Sequence, residues 1–148
     1  MAKKILIVDD EVAREYGREF TQLRQGIFGA RSLLLPRKPL EDHFVQGIRI
    51  KPLFAPDHMP EMEFIKQMIK ARSRIDFAIF TFAQSSGIDD ALVNARQKGL
   101  SVSGVLDRKV VNQRWASKDT LVDGGVVLYT NKTGTGVRKV HHKLMVID

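Results

Sequence analysis

Ile75-Asp76-Phe77-Ala78-Ile79-Phe80-Thr81-Phe82-Ala83 is an almost unbroken apolar run, interrupted by one acid and one threonine. A strand covered on both faces has that composition, whereas a strand with one wet face alternates. Before it, Met62, Ile65, Met68, Ile69 and Arg72 recur at helical spacing over residues 60–74, with Pro60 in the first turn, where a missing N–H costs nothing. After it, residues 88–98 form a second helical pattern closed by Gly99, and Ser101–Leu106 is a strand ending at Asp107. A helix closing at residues 120–122, the turn Gly124-Gly125 and a strand over 126–129 follow. Residues 140–147 are apolar except for His141, His142 and Lys143. Helices alternating with strands in this way predict an α/β sandwich on a mixed, mainly parallel sheet.

Upstream, residues 4–8 read as a short buried strand ending in Asp9-Asp10-Glu11. Val12, Tyr16, Phe20 and Leu23 mark one face of an amphipathic helix. Gly26 and Gly29 stop that helix, and residues 31–39 carry two prolines without a period, as a linker does. Residues 45–54 alternate weakly and predict a strand before Pro56. The expected organisation is a strand and helix over 1–30, a linker over 31–44 and the main domain over 45–148.

The chain has 148 residues, enough for one domain with a real core. It has no cysteine, which excludes disulfides, thiolate zinc sites and cysteine nucleophiles together. No apolar run approaches the roughly 18 residues of a membrane span, and the four residues 5–8 are too few for a secretory signal, so the chain as given is expected in the cytoplasm. Lys and Arg number 24 against 17 acids, a net charge of +7 that favours polyanionic partners: nucleic acid or phospholipid headgroups. No aromatic-basic repeat provides a stacking platform for single strands.

Val140-His141-His142-Lys143-Leu144-Met145-Val146-Ile147-Asp148 carries the chemistry. Alternate residues of a strand share a face, so His141 and Lys143 are expected side by side. A neutral imidazole can attack phosphorus while the neighbouring ammonium neutralises charge on the non-bridging oxygens. Strict alternation puts Asp148 on the other face, and its role does not follow from periodicity. A basic strand end dipping into solvent is the plain alternative.

His141-x-Lys143-x-x-x-x-Asp148 resembles the HxKxxxxD signature of the phospholipase D superfamily. Upstream, Phe54-Ala55-Pro56-Asp57, the helix after it, and the segments 75–82, 91–99 and 100–107 resemble the opening of a phospholipase D-like repeat, so the likeness covers about residues 45–148. It implies a phosphodiesterase acting on nucleic acid or phospholipid through a covalent phosphohistidine, with no cofactor and no metal. His141 would be nucleophile or general acid, Lys143 would bind phosphate, Asp148 would support the motif, and His142 would face away. Such sites combine two motifs, and here one is present; the usual segment after the motif is missing too, so the domain looks truncated at its C-terminus. The second half-site would come from a homodimer partner or from a first repeat whose end residues 5–20 resemble.

Two other functions compete. Lys4 to Glu11 is also similar to the first strand and acidic pair of a response-regulator receiver, with Asp9 and Asp10 on Mg²⁺, Asp57-His58-Met59-Pro60 as acceptor turn and Lys132 as site lysine. Against it, a buried strand should precede Asp57, and Leu53-Phe54-Ala55-Pro56 is a poor one. A module that binds phosphate without turnover is the third possibility. His43 and His58 read as isolated surface residues, and Gly134 to Gly136 as a flexible loop first and a phosphate contact second. Arg108, Lys109 and Arg114 read as a solvated loop ahead of the flank of a polyanion groove, and Asp107 as an acid at a strand end, where active-site acids often sit, with helix-capping or loop roles as the alternatives.

Overall fold

The computed structural model describes residues 9–36, 39, 41–134 and 136–148. The strand expected over residues 4–8 lies outside them. The chain divides into two compact units, residues 1–60 and 61–148.

In the first unit, α1 (Asp10–Arg24) starts where the Asp9 carboxylate accepts the N–H groups of Glu11 and Val12. Such a cap contributes about 1 kcal/mol. It also occupies the carboxylate that a receiver would turn towards Mg²⁺. Part of the expected linker, Gly29–Leu34, winds into a 3₁₀ helix. The single strand expected over 45–54 is instead a hairpin, β1 (His43–Val45) paired antiparallel with β2 (Ile48–Ile50). Its two-residue turn, Gln46-Gly47, has positive φ at both positions, 50° and 80°. That is the hairpin turn whose twist matches paired strands; glutamine adopts the left-handed conformation only at a cost, so no Asn-Gly or Asp-Gly flagged it. Residues 51–56, which lead directly into Asp57, form no strand, where a receiver would need a buried one.

The second unit carries the α/β architecture. Its elements are α2 (Pro60–Lys70), β3 (Arg74–Ile79), α3 (Ile88–Gln97), β4 (Ser101–Leu106), α4 (Lys118–Asp123), β5 (Val127–Thr130) and β6 (Lys143–Ile147). The sheet order is β5-β4-β3-β6. β3, β4 and β5 run parallel, and β6 returns antiparallel beside β3. The sheet is therefore mixed and mainly parallel, as the alternation of helices and strands predicts.

One face of the sheet makes the core. Ile75 and Phe77 of β3, with Val102 and Leu106 of β4, pack against Met68, Leu92, Ala95 and Leu121 from the three helices. Burying each large side chain contributes about 1.5–3 kcal/mol. Phe77 lies directly across from Gly104, and its ring occupies the space a side chain there would need. The other face is not covered as the apolar run 75–83 suggests. It carries Asp76, bonded by the Ser103 hydroxyl at 2.6 Å, and the exposed Leu144, Val146, Val127 and Tyr129. The run also leaves the sheet early: β3 stops at Ile79, and Phe82 turns back to meet the Phe77 ring edge-on at 5.8 Å. Among the described residues, no helix is long and apolar enough to cross a membrane.

Gly104→Ala should destabilise this unit by about 1–3 kcal/mol, because the added methyl displaces the Phe77 ring from a filled core. Urea unfolding of the variant against the parent chain measures it.

Candidate functional site

The parallel strands β3, β4 and β5 end together, and the segment leading into β6 crosses those ends. The Asn131 side chain, just after β5, donates to the Val137 carbonyl at 3.1 Å. The Asp107 carboxylate, just after β4, accepts the Val140 N–H at 2.9 Å. The Phe80 N–H, just after β3, donates to the His142 carbonyl at 2.9 Å. Residues 137–142 thus pass over β5, β4 and β3 in turn. That delivers His141 to the carboxyl ends of the strands, where open α/β sheets bind ligands.

His141 precedes β6 rather than lying within it, so simple alternation does not place it beside Lys143. The pairing nevertheless forms. Lys143 Nζ lies 3.4 Å from His141 Nδ1 and 3.3 Å from Nε2, and donates to the His141 carbonyl at 3.2 Å. Whichever ring nitrogen lacks a proton can accept from this ammonium. The Phe80 ring backs the imidazole at 4.8 Å between centroids. Lys139 Nζ sits 4.1 Å from the centre of that ring, a cation–π distance. Both histidines are exposed.

Lys143 is the main reason the His141 pKa falls below its ordinary value, with desolvation, Lys139 and His142 adding to it. The ring therefore stays neutral at a pH where a free histidine is already charged. Neutral imidazole is the form with a lone pair to give. The ammoniums beside it are what an anion would displace from the imidazole and hold.

Asp148 is not brought to this cluster. It follows the other end of β6, where its carboxylate accepts from the N–H groups of Arg72, Ser73 and Arg74 at 2.8–3.2 Å. Those bonds, the Arg74 N–H foremost, lower its pKa to about 2 against the opposing effect of desolvation. Four residues separate it from Lys143, and the five steps between the two amount to about 17 Å of extended chain.

Two further residues belong to the site's frame. Asp107, which the sequence marks as a strand-end acid with capping or loop roles as alternatives, is fully buried and holds Val140; Asn131 carries no motif and is missed in the sequence. Their only sequence signal is position, one residue past each of two parallel strands. His43, read as a surface residue, is buried at 5 % exposure in the first unit, 3.3 Å from Glu11. His43, Glu15 and Glu41 bring one potential ligand atom each within 4.8 Å, although Arg18 already engages both Glu15 oxygens. His58 is half-buried and accepts the Phe54 N–H at 3.0 Å.

The family model for the phospholipase D-like domain of cardiolipin synthase matches residues 64–148, more than half of the chain. The chain belongs to the phospholipase D-like family. Two solved structures are similar to this phospholipase D-like chain. Nuc, a phospholipase D family member from Salmonella typhimurium, superposes with a TM-score of 0.54 at 23% identity, covering 64% of this chain and 60% of its own. NucT from Helicobacter pylori superposes with a TM-score of 0.54 at 18% identity, covering 65% of each. The chain thus spans less than two thirds of either relative's length. No curated protein matches it significantly.

Two titrations follow from the site's electrostatics. The His141 ring, followed by NMR, should titrate below 6.5, and Lys143→Ala should move the midpoint up. Asp148 is depressed from 3.8 to about 2, so its stabilisation is complete above 3.8 and fades as pH falls through about 2. The stability gap between the parent chain and Asp148→Ala, measured in urea, should be full at pH 6, shrink below 3.8, and close under about 2.

Proposed function

We propose that this chain carries one half of a phospholipase D-type phosphodiesterase centre. The observation that supports it most is the Lys143 ammonium within 3.4 Å of both ring nitrogens of an exposed, neutral-leaning His141. One His141 nitrogen forms a bond to phosphorus as the bond from phosphorus to the leaving oxygen breaks. Lys143 and Lys139 hold the non-bridging oxygens and offset their developing charge. Water then displaces the histidine and releases the phosphate product. The leaving oxygen needs a proton in the first step, and His141 cannot supply it while attacking. That proton comes from a second half-site, in another copy of this chain or in a longer parent. With the roles exchanged, His141 is the proton donor. Asp148 supports the motif by fixing β6 rather than by meeting the substrate. The excess of 24 basic over 17 acidic residues favours a polyanion, nucleic acid ahead of phospholipid.

Hydrolysis of bis-p-nitrophenyl phosphate tests this. Assembled chains should turn over, His141→Ala should lose at least about a hundredfold in kcat, and His142→Ala should keep most of it. Activity should survive EDTA. Equal losses at the two histidines, or loss on chelation with recovery in Mg²⁺, count against the assignment; phosphate binding without turnover in any assembly state leaves only a binding module.

A further inference from the structure

Asp107 is an acid with 0 % exposure. A carboxylate so placed is costly unless its oxygens find donors. Each of them has one: Oδ1 accepts the Lys109 N–H at 2.9 Å, and Oδ2 accepts the Val140 N–H at 2.9 Å. Burial opposes its ionisation, but the Val140 and Lys109 amides and the Lys139 and Lys109 ammoniums outweigh it and hold the pKa below the ordinary range. The bond to Val140 spans 33 residues and grips the residue immediately before His141.

Asn131 does parallel work one strand over. It is 9 % exposed; its Oδ1 accepts the Arg108 N–H at 3.0 Å and its Nδ2 donates to the Val137 carbonyl at 3.1 Å. Val140 is itself buried. His141 therefore projects from a short strap tied on both sides: at Val137 and Val140 before it, and at His142 after it. The contacts of its own ring are with exposed or half-exposed groups, which do not fix a backbone. Asp148 sits at the far end of β6.

We propose that Asp107, assisted by Asn131, is the positioning residue for His141: it never meets substrate, and it sets where the imidazole stands by holding Val140. The inference rests on His141 being the reactive group. If the tie is cut, the ring drifts from Lys143, Lys139 and Phe80.

The experiment is NMR on the full chain, with no turnover required. In the parent chain the Val140 amide should exchange about a hundredfold more slowly than an open amide; exchange at the open rate overturns the proposal. The second readout is the His141 midpoint, which Lys143, Lys139 and His142 depress together. Asp107→Asn leaves one acceptor and puts an amide donor against a backbone donor. Drift away from the cations should raise the His141 midpoint, whereas loss of a negative charge acting through space should lower it. The sign separates the two effects. Asn131→Ala changes no charge, so a smaller rise there reports geometry alone, and it decides the matter if Asp107→Asn does not fold. Native-like spectra with a midpoint unchanged or lowered in the folded variants overturn the proposal. A folded, inactive chain refutes the phosphodiesterase function and leaves these readouts intact.

Discussion

Residues 61–148 depend on β3 keeping one register with neighbours of opposite sense. Its partners run parallel from Arg74↔Ser101 to Ile79↔Leu106 on one side, and antiparallel from Ile75↔Ile147 to Ile79↔Lys143 on the other. One face of β3 meets the helices through Ile75 and Phe77, so a slip of one residue would exchange those side chains for Asp76 and Ala78. Burial of the core thereby fixes the frame against which β6 is laid. Both ends of that frame are tied: Phe80 bonds His142, and the backbone from Arg72 to Arg74 bonds Asp148. The geometry of the His141–Lys143 pair at one end is inherited from packing in the middle.

The cluster at the strand ends gathers Lys139, Lys143 and His141 around one aromatic ring. Like charges this close repel, and the lowered pKa of His141 records that repulsion. Within the cluster the one relief is to leave the imidazole uncharged. Phe80 supplies a negative ring face to Lys139 and an apolar backing to the imidazole. The buried anion Asp107 balances Lys139 from behind. The cluster keeps a net positive charge that these side chains do not balance, which is the physical ground for the phosphodiester reading proposed above.

Much of this was legible in the chain itself. The strand Ser101–Leu106 is bounded by Gly99 and Asp107, and the structure places β4 over the same residues. The His-Lys pair was legible from a signature and not from alternation, because His141 stands before the strand, next to the backbone tie at Val140. What stayed hidden depends on contacts distant in sequence. The burial of Asp107 is visible only once residue 140 arrives beside it, and His43 looked solitary because Glu11 is 32 positions away. The Gln46-Gly47 hairpin hid because a side chain that rarely adopts positive φ does so there. The continuous apolar run 75–83 misled about coverage, since Phe80 and Phe82 serve the site and the core from outside the strand.

The spacing between Lys143 and Asp148 then takes on a metric meaning. Asp148 is fastened to three amides at one rim of the sheet, and β6 runs from there as a taut cord of fixed gauge to the opposite rim. Adding one residue to that cord would carry the imidazole about 3.4 Å further out and turn it to the other side. Removing one would draw it back by the same step with the same reversal. The four residues between lysine and aspartate thus measure the depth of the sheet from the Asp148 anchorage to the His141–Lys143 pair, and their number matters more than their names.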